Sequence, residues 1–144
     1  MRNVRAGYGK RQAGLLFVLC VLFLLAGCTS ETKEPQKQRD LEFTVVPPEN
    51  LPEELSDIIE ERKTDPFKIT YEDEGWLYVA VGYGKQKGGG FSIQAAEFYE
   101  TENAIYVATT LLGSKDSEGD AVSASYPYIV LKTEAIGKNV VFRS

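Results

Sequence analysis

Trp76-Leu77-Tyr78-Val79-Ala80-Val81 is an unbroken apolar run of strand length, closed by Gly82. A strand with one wet face would alternate apolar and polar residues, and this one does not. The run therefore predicts a central strand covered on both faces. Any fold this chain adopts has to supply that cover.

The segments around it read as one helix and several short strands. Glu42 to Val46 alternates and predicts a short strand, stopped by Pro47-Pro48. Leu51, Leu55, Ile58 and Ile59 then form one apolar stripe at helical spacing. Asn50 is the expected cap and Pro52 falls in the first turn, where a missing N–H costs nothing. Glu53 and Glu54 lie at the positive end of the helix, Arg62 and Lys63 at the negative end, and Asp65-Pro66 marks its stop. The stripe is expected to pack across a sheet.

Beyond the helix the pattern is β. Phe67, Ile69 and Tyr71 alternate with polar residues, and Glu72-Asp73-Glu74-Gly75 predicts a hairpin turn into the apolar run. Phe91, Ile93 and Ala95 alternate with Ser92, Gln94 and Ala96, and Thr101-Glu102-Asn103 signals a second turn. Ile105, Val107 and Thr109 share one face of the next strand, with Tyr106 and Ala108 on the other. A polar loop follows from Gly113 to Asp120. Tyr126 to Leu131 is another apolar strand, and Gly137-Lys138-Asn139 turns the chain into Val140-Val141-Phe142. Short strands at this spacing predict a mainly β fold with one α-helix: a small antiparallel β-sandwich or partly open barrel with the helix packed on it.

The N-terminus is of another kind. Arg2, Arg5, Lys10 and Arg11 precede an apolar stretch from Gly14 to Ala26, which is short of the roughly 20 residues a spanning helix needs. Leu25-Ala26-Gly27-Cys28 ends it, and the chain turns polar at once. This segment resembles a bacterial lipoprotein signal, with its lipobox. The resemblance implies cleavage before Cys28, acyl chains on Cys28, and attachment to the extracytoplasmic face of a bacterial cell membrane. Residues 1–27 then form the signal peptide. Residues 28–40, polar and without a large apolar side chain, form a flexible tether. Residues 41–144 form a single domain.

Composition closes several routes. Without the signal the chain keeps 12 basic and 21 acidic residues, a formal charge of −9. That excludes the basic footprint nucleic acid demands, and leaves membrane attachment to the lipid. Cys20 leaves with the signal and Cys28 is lipidated, so no thiol remains for a disulfide, a nucleophile or a metal. There is no histidine, which removes the commonest general base and metal ligand. No cofactor, metal site or catalytic residue is expected. Asp116, Glu118 and Asp120 lack the calcium-loop pattern and read as a solvated turn. Ser114, Ser117, Ser123 and Ser125 have no spacing that points to a lysine base.

Gly84-Lys85-Gln86-Lys87-Gly88-Gly89-Gly90-Phe91 is the most unusual stretch. It lacks the Gly-Lys-Ser/Thr of a phosphate loop and leads into a strand, not a helix. The bland reading is a mobile hairpin loop. The favoured reading is a partner-binding loop, whose glycines let another backbone approach, whose unpaired N–H groups receive a strand, and whose two lysines steer a partner. Tyr126, Pro127 and Tyr128 are the candidate adjoining surface.

Trp76 to Gly82, Gly88 to Ile93, Asn103 to Val107 and Ser125 to Lys132, in that order, resemble the C-terminal domain of the protease-complex subunit PrcB family. Gly89-Gly90-Phe91-Ser92 and Tyr126-Pro127-Tyr128 carry most of the resemblance. Gly88 stands where the family often has threonine, and Phe91 where it often has tyrosine. The resemblance implies a non-catalytic envelope lipoprotein that supports or stabilises an extracytoplasmic protease. Two alternatives remain beside it. A loop-bearing, disulfide-free β domain is broadly similar to chagasin-like protease inhibitors, whose signatures are absent. Eight tyrosines, seven of them beyond the signal, also suit an envelope domain that binds a ligand on a sheet face.

Overall fold

The computed structural model describes residues 33–113 and 123–144. The signal, Cys28, most of the tether and the loop bearing Ser114, Asp116, Ser117, Glu118 and Asp120 lie outside the described residues. Among the described residues no helix is long and apolar enough to cross a membrane.

Strand β4 (Trp76–Tyr83) lies inside a sheet of order β2-β9-β4-β3, between β9 (Tyr128–Glu134) and β3 (Pro66–Asp73), with β2 (Thr44–Val45) at the far edge. Every pairing in this sheet is antiparallel. Its two faces are covered differently from Leu77 to Val81, but Trp76, expected to be covered with them, is 44% exposed at the strand's start. Leu77, Val79 and Val81 point to one side and pack with Ile129, Leu131, Phe98, Ile105 and Val107. Tyr78 and Ala80 point to the other, where Leu55 and Ile59 of helix α1 (Glu53–Arg62) cover them together with Phe67 and Val130. Leu55, Val79, Leu131 and Ile105 are fully buried. Each such side chain contributes about 1.5–3 kcal/mol by leaving water.

The second sheet has the order β1-β6-β7-β10, with β1 (Arg39–Asp40), β6 (Ser92–Glu100), β7 (Ala104–Leu112) and β10 (Asn139–Phe142). It supplies Phe98, Ile105 and Val107 to the shared core. The molecule is thus a β-sandwich with a helix on its outer face, and the sheets do not close into a barrel. A third, two-stranded piece joins β5 (Gln86–Lys87) to β8 (Ala124–Ser125).

Local chemistry sets the connections. Glu74 (φ 47°) and Gly75 (φ 82°) both take the left-handed conformation between Asp73 and Trp76, the two-residue turn that matches strand twist. Thr101 closes the β6–β7 turn, its hydroxyl accepting from Ala104 N–H at 3.2 Å.

Several expectations are corrected. Asn50 does not cap the helix: it ends a 3-10 turn over Pro48–Asn50, and Pro52 holds the N-cap position without a side-chain bond. The strand expected over Glu42 to Val46 shrinks to Thr44–Val45, because residues 41–43 carry the chain from one sheet to the other. Ordered structure also reaches into the expected tether, where Arg39 and Asp40 pair with Glu100 and Tyr99. Not every pairing is antiparallel: β10 runs parallel to β7. The chain leaves β9 at Glu134, crosses between sheets, and starts β10 at the end where β7 also starts.

Candidate partner-binding site

The glycine-rich stretch sits at one end of the sandwich, and its glycines serve two purposes. Gly82 and Gly84 are packing residues. A Cβ on Gly82 would occupy the Phe67 ring, and one on Gly84 would meet Pro66 Cδ at 2.9 Å. Gly88 and Gly89 face open space, with nothing within 4 Å of an added Cβ. Gly88 has φ +81°, a conformation that favours glycine on backbone grounds alone.

The loop is tied down more firmly than expected. Lys85 N–H donates to Thr64 O at 3.1 Å, just past the end of α1. Gln86 and Lys87 pair with Ser125 and Ala124. Gly88 N–H donates to Ser123 O at 2.8 Å, and Gln86 Nε2 donates to Tyr83 O at 2.9 Å. These donors therefore do not await a partner strand, which corrects the expectation of an unpaired loop backbone. Exposed groups remain: Lys85, Lys87, Gly89 and Gly90 are open to solvent, and Phe91 is half-buried beside Gly113.

Tyr126, Pro127 and Tyr128 lie at the same end. Tyr83 N–H donates to Pro127 O at 3.0 Å, and Gly82 pairs with Tyr128. The Tyr128 ring lies 6.4 Å from Phe67, and burial, reinforced by Glu60, pushes its hydroxyl above the usual phenol range. Lys63 stands 5.8 Å over the Tyr126 ring and donates to Glu60 at 2.5 Å, the contact that holds it charged. Lys63, Thr64 and Pro66 are the members sequence reasoning missed. Lys63 read only as a helix-end charge, and nothing local announced that the helix exit would meet the loop. Tyr83 OH and Thr109 Oγ1, 2.6 Å apart, clamp the two sheets here.

This end offers three lysines, a glycine surface and two tyrosines. Ser125 Oγ is buried without a hydrogen-bond partner, so no lysine activates it. Among the described residues no cluster of three or more His, Cys, Asp or Glu side chains could hold a metal ion. The described tyrosines do not gather into one platform. Tyr78 and Tyr99 are buried on different sheets, and the Tyr99–Tyr106 stack (5.4 Å) lies on the outer face of the second sheet, flanked by Lys37 and Arg143.

The opposite end holds a groove of about 480 Å³, lined by Arg39, Phe43, Trp76, Lys132 and Glu134 among others. Lys132 Nζ lies 4.5 Å over the Trp76 ring.

Residues 77–134 match the family model described as PrcB C-terminal. The match begins in β4 and ends with β9, so it encloses the glycine-rich loop and Tyr126 to Tyr128. No curated protein and no solved structure matches the chain. Residues 77–134 are thus similar to the PrcB C-terminal family, over nearly the same stretch in which the motifs resemble it.

Proposed function

We propose that this protein is a non-catalytic, membrane-anchored extracytoplasmic lipoprotein whose PrcB-like domain binds and supports a partner protease. The observation that carries this reading is spatial. Both segments most like the family, the loop through Phe91 and Tyr126 to Tyr128, meet at one end and present Lys63, Lys85 and Lys87 there. In a domain whose net charge is acidic, a lysine-bearing end is a steering feature for an acidic partner surface. Cys28 supplies the anchor and the tether sets the reach. The inventory of the chain, without histidine or a free thiol after processing, agrees with a supporting role over a catalytic one.

The test is capture from the native membrane. Lys85→Glu with Lys87→Glu should cut recovery of the crosslinked protease by about tenfold while leaving the melting temperature in place, because neither side chain is in the core. Unchanged recovery would refute the loop assignment. For the anchor, Cys28→Ala should abolish palmitate labelling, and labelling that persists would refute lipidation.

A further inference from the structure

The backbone of the glycine loop is already tied down from Lys85 to Gly88, but among the described residues an edge of the second sheet beside it is not paired. Strand β1 covers β6 only at Tyr99 and Glu100, and Leu41 N–H adds one bond to Phe98 O. A bulge at Ala96 separates this covered end from the rest. Among the described residues, no strand pairs with residues 92–97 on the side away from β7. We propose that residues 92–97 of β6 form a strand-addition site, taken by an extended segment of the partner protein that alternates apolar and polar residues and carries a basic side chain.

Three observations decide the occupant. First, this edge offers backbone N–H and C=O groups in extended register, a template that another extended backbone matches residue by residue. Second, an apolar shelf lies along it. Val45 pairs with Leu131 and so points toward the second sheet, yet it is 53% exposed. Phe43, 40% exposed, stands edge-on to Phe98 at 5.3 Å. Alternate side chains of an added strand would cover Val45, Phe43 and the half-buried Ile93 and Ala95. Third, the charge at hand is negative. Glu42 is exposed, and Glu97 has only a 3.9 Å contact with Arg143.

The other edges are defended or occupied. Strand β3 carries Pro66, Lys68, Glu72 and Asp73, the residues that blunt an edge. Beyond β10, residues 108–112 of β7 are also open, but on that flank Lys68 already sits 5.7 Å over the Phe142 ring. By contrast, Ser92-Ile93-Gln94-Ala95-Ala96 holds neither proline nor charge. A second copy is a poor occupant, because its own residues 92–97 bring no basic side chain to Glu42 and Glu97.

This inference rests on reading the domain as a protein-binding module, but not on the lysine loop. The probe is the synthetic peptide Lys-Val-Thr-Val-Thr-Val, added to the full-length chain in detergent micelles during hydrogen exchange. At ten times its dissociation constant, amides within residues 92–97 should exchange about tenfold more slowly. An N-methylated analogue, which cannot complete the ladder, should give no protection. Val45→Asp should weaken the peptide about fivefold without moving the melting temperature. Protection at 66–73 or 108–112, protection that grows with protein concentration alone, or no protection at millimolar peptide would each overturn the proposal. Lys85→Glu with Lys87→Glu should leave peptide protection intact. Failure of the peptide therefore leaves the loop reading standing, and failure of the loop variant leaves this one.

Discussion

The two ends of the sandwich are closed by different chemistry. Where Arg39 enters, Glu100 is nearly buried and held by Arg39 and by Lys138 at 3.0 Å, while Lys138 also donates to Thr101 O at 2.7 Å. At the far end the closure is backbone: Tyr83 to Pro127, Lys85 to Thr64, Gly88 to Ser123 and the short β5–β8 ladder. The first end commits its basic Arg39 and Lys138 to the fold and leaves carboxylates such as Glu42 and Glu134 exposed. The second leaves Lys85 and Lys87 without a salt bridge among the described residues, because main-chain groups do the holding. A surface is available for recognition where structure does not already use its side chains.

Substitutions that exchange these roles test the contrast. The largest loss is expected for Gly82→Ala, which drives a methyl into the Phe67 ring and should cost about 1–3 kcal/mol in urea unfolding. A neutral result there would show that Phe67 moves freely and that the loop end is softer than its packing implies. Next comes Glu100→Gln at the charged end. The Arg39 and Lys138 partners hold the Glu100 carboxyl below the usual carboxylate range. Its folded pKa is therefore lower than its unfolded one, so the contribution is present above the ordinary carboxylate range and fades as pH falls through the folded value. The variant should melt below the wild type near about pH 7, and the two curves should converge as pH falls through the lowered folded value. A gap that stays constant with pH would break the assignment. Thr101→Val removes the hydroxyl that closes the β6–β7 turn and should cost about 1 kcal/mol. Gly89→Ala should be smallest, within about 0.5 kcal/mol, since its Cβ meets open space. A larger loss would mean that the exposed part of the loop is structural after all.

Much of the fold could be read from residue order. The doubly covered run from Leu77 to Val81, the turn at Glu74-Gly75 and the stripe of Leu55 and Ile59 each show up within a few residues, where period and turn chemistry act. The juxtaposition of the glycine loop with Tyr126 to Tyr128 was also legible, through the family motif. What escaped was the state of the loop's backbone. Gly88 and Ser123 are far apart in sequence, and no local pattern says that β5 and β8 will pair. The helix cap failed for a smaller reason: Pro48 started a 3-10 turn that used Asn50 before the helix began.

Phase along β6 shows where local reading stops. Alternation from Ile93 and Ala95 places odd-numbered residues on the core side, which would put Glu100 in water. The bulge at Ala96 adds one residue, so Phe98 and Glu100 turn inward and Glu100 meets Arg39 and Lys138. A bulge is a feature of two strands, not of one. By itself, the order of residues determined which segments become strand, helix or turn, and that Leu77 to Val81 has to be covered twice. Only the tertiary structure decided register and neighbour: the parallel β10, the pairing of Lys85 to Gly88 and, among the described residues, the uncovered edge of β6. The reason is physical. Periodicity acts over a few residues, whereas register and edge pairing are settled by chain crossings that join residues distant in sequence.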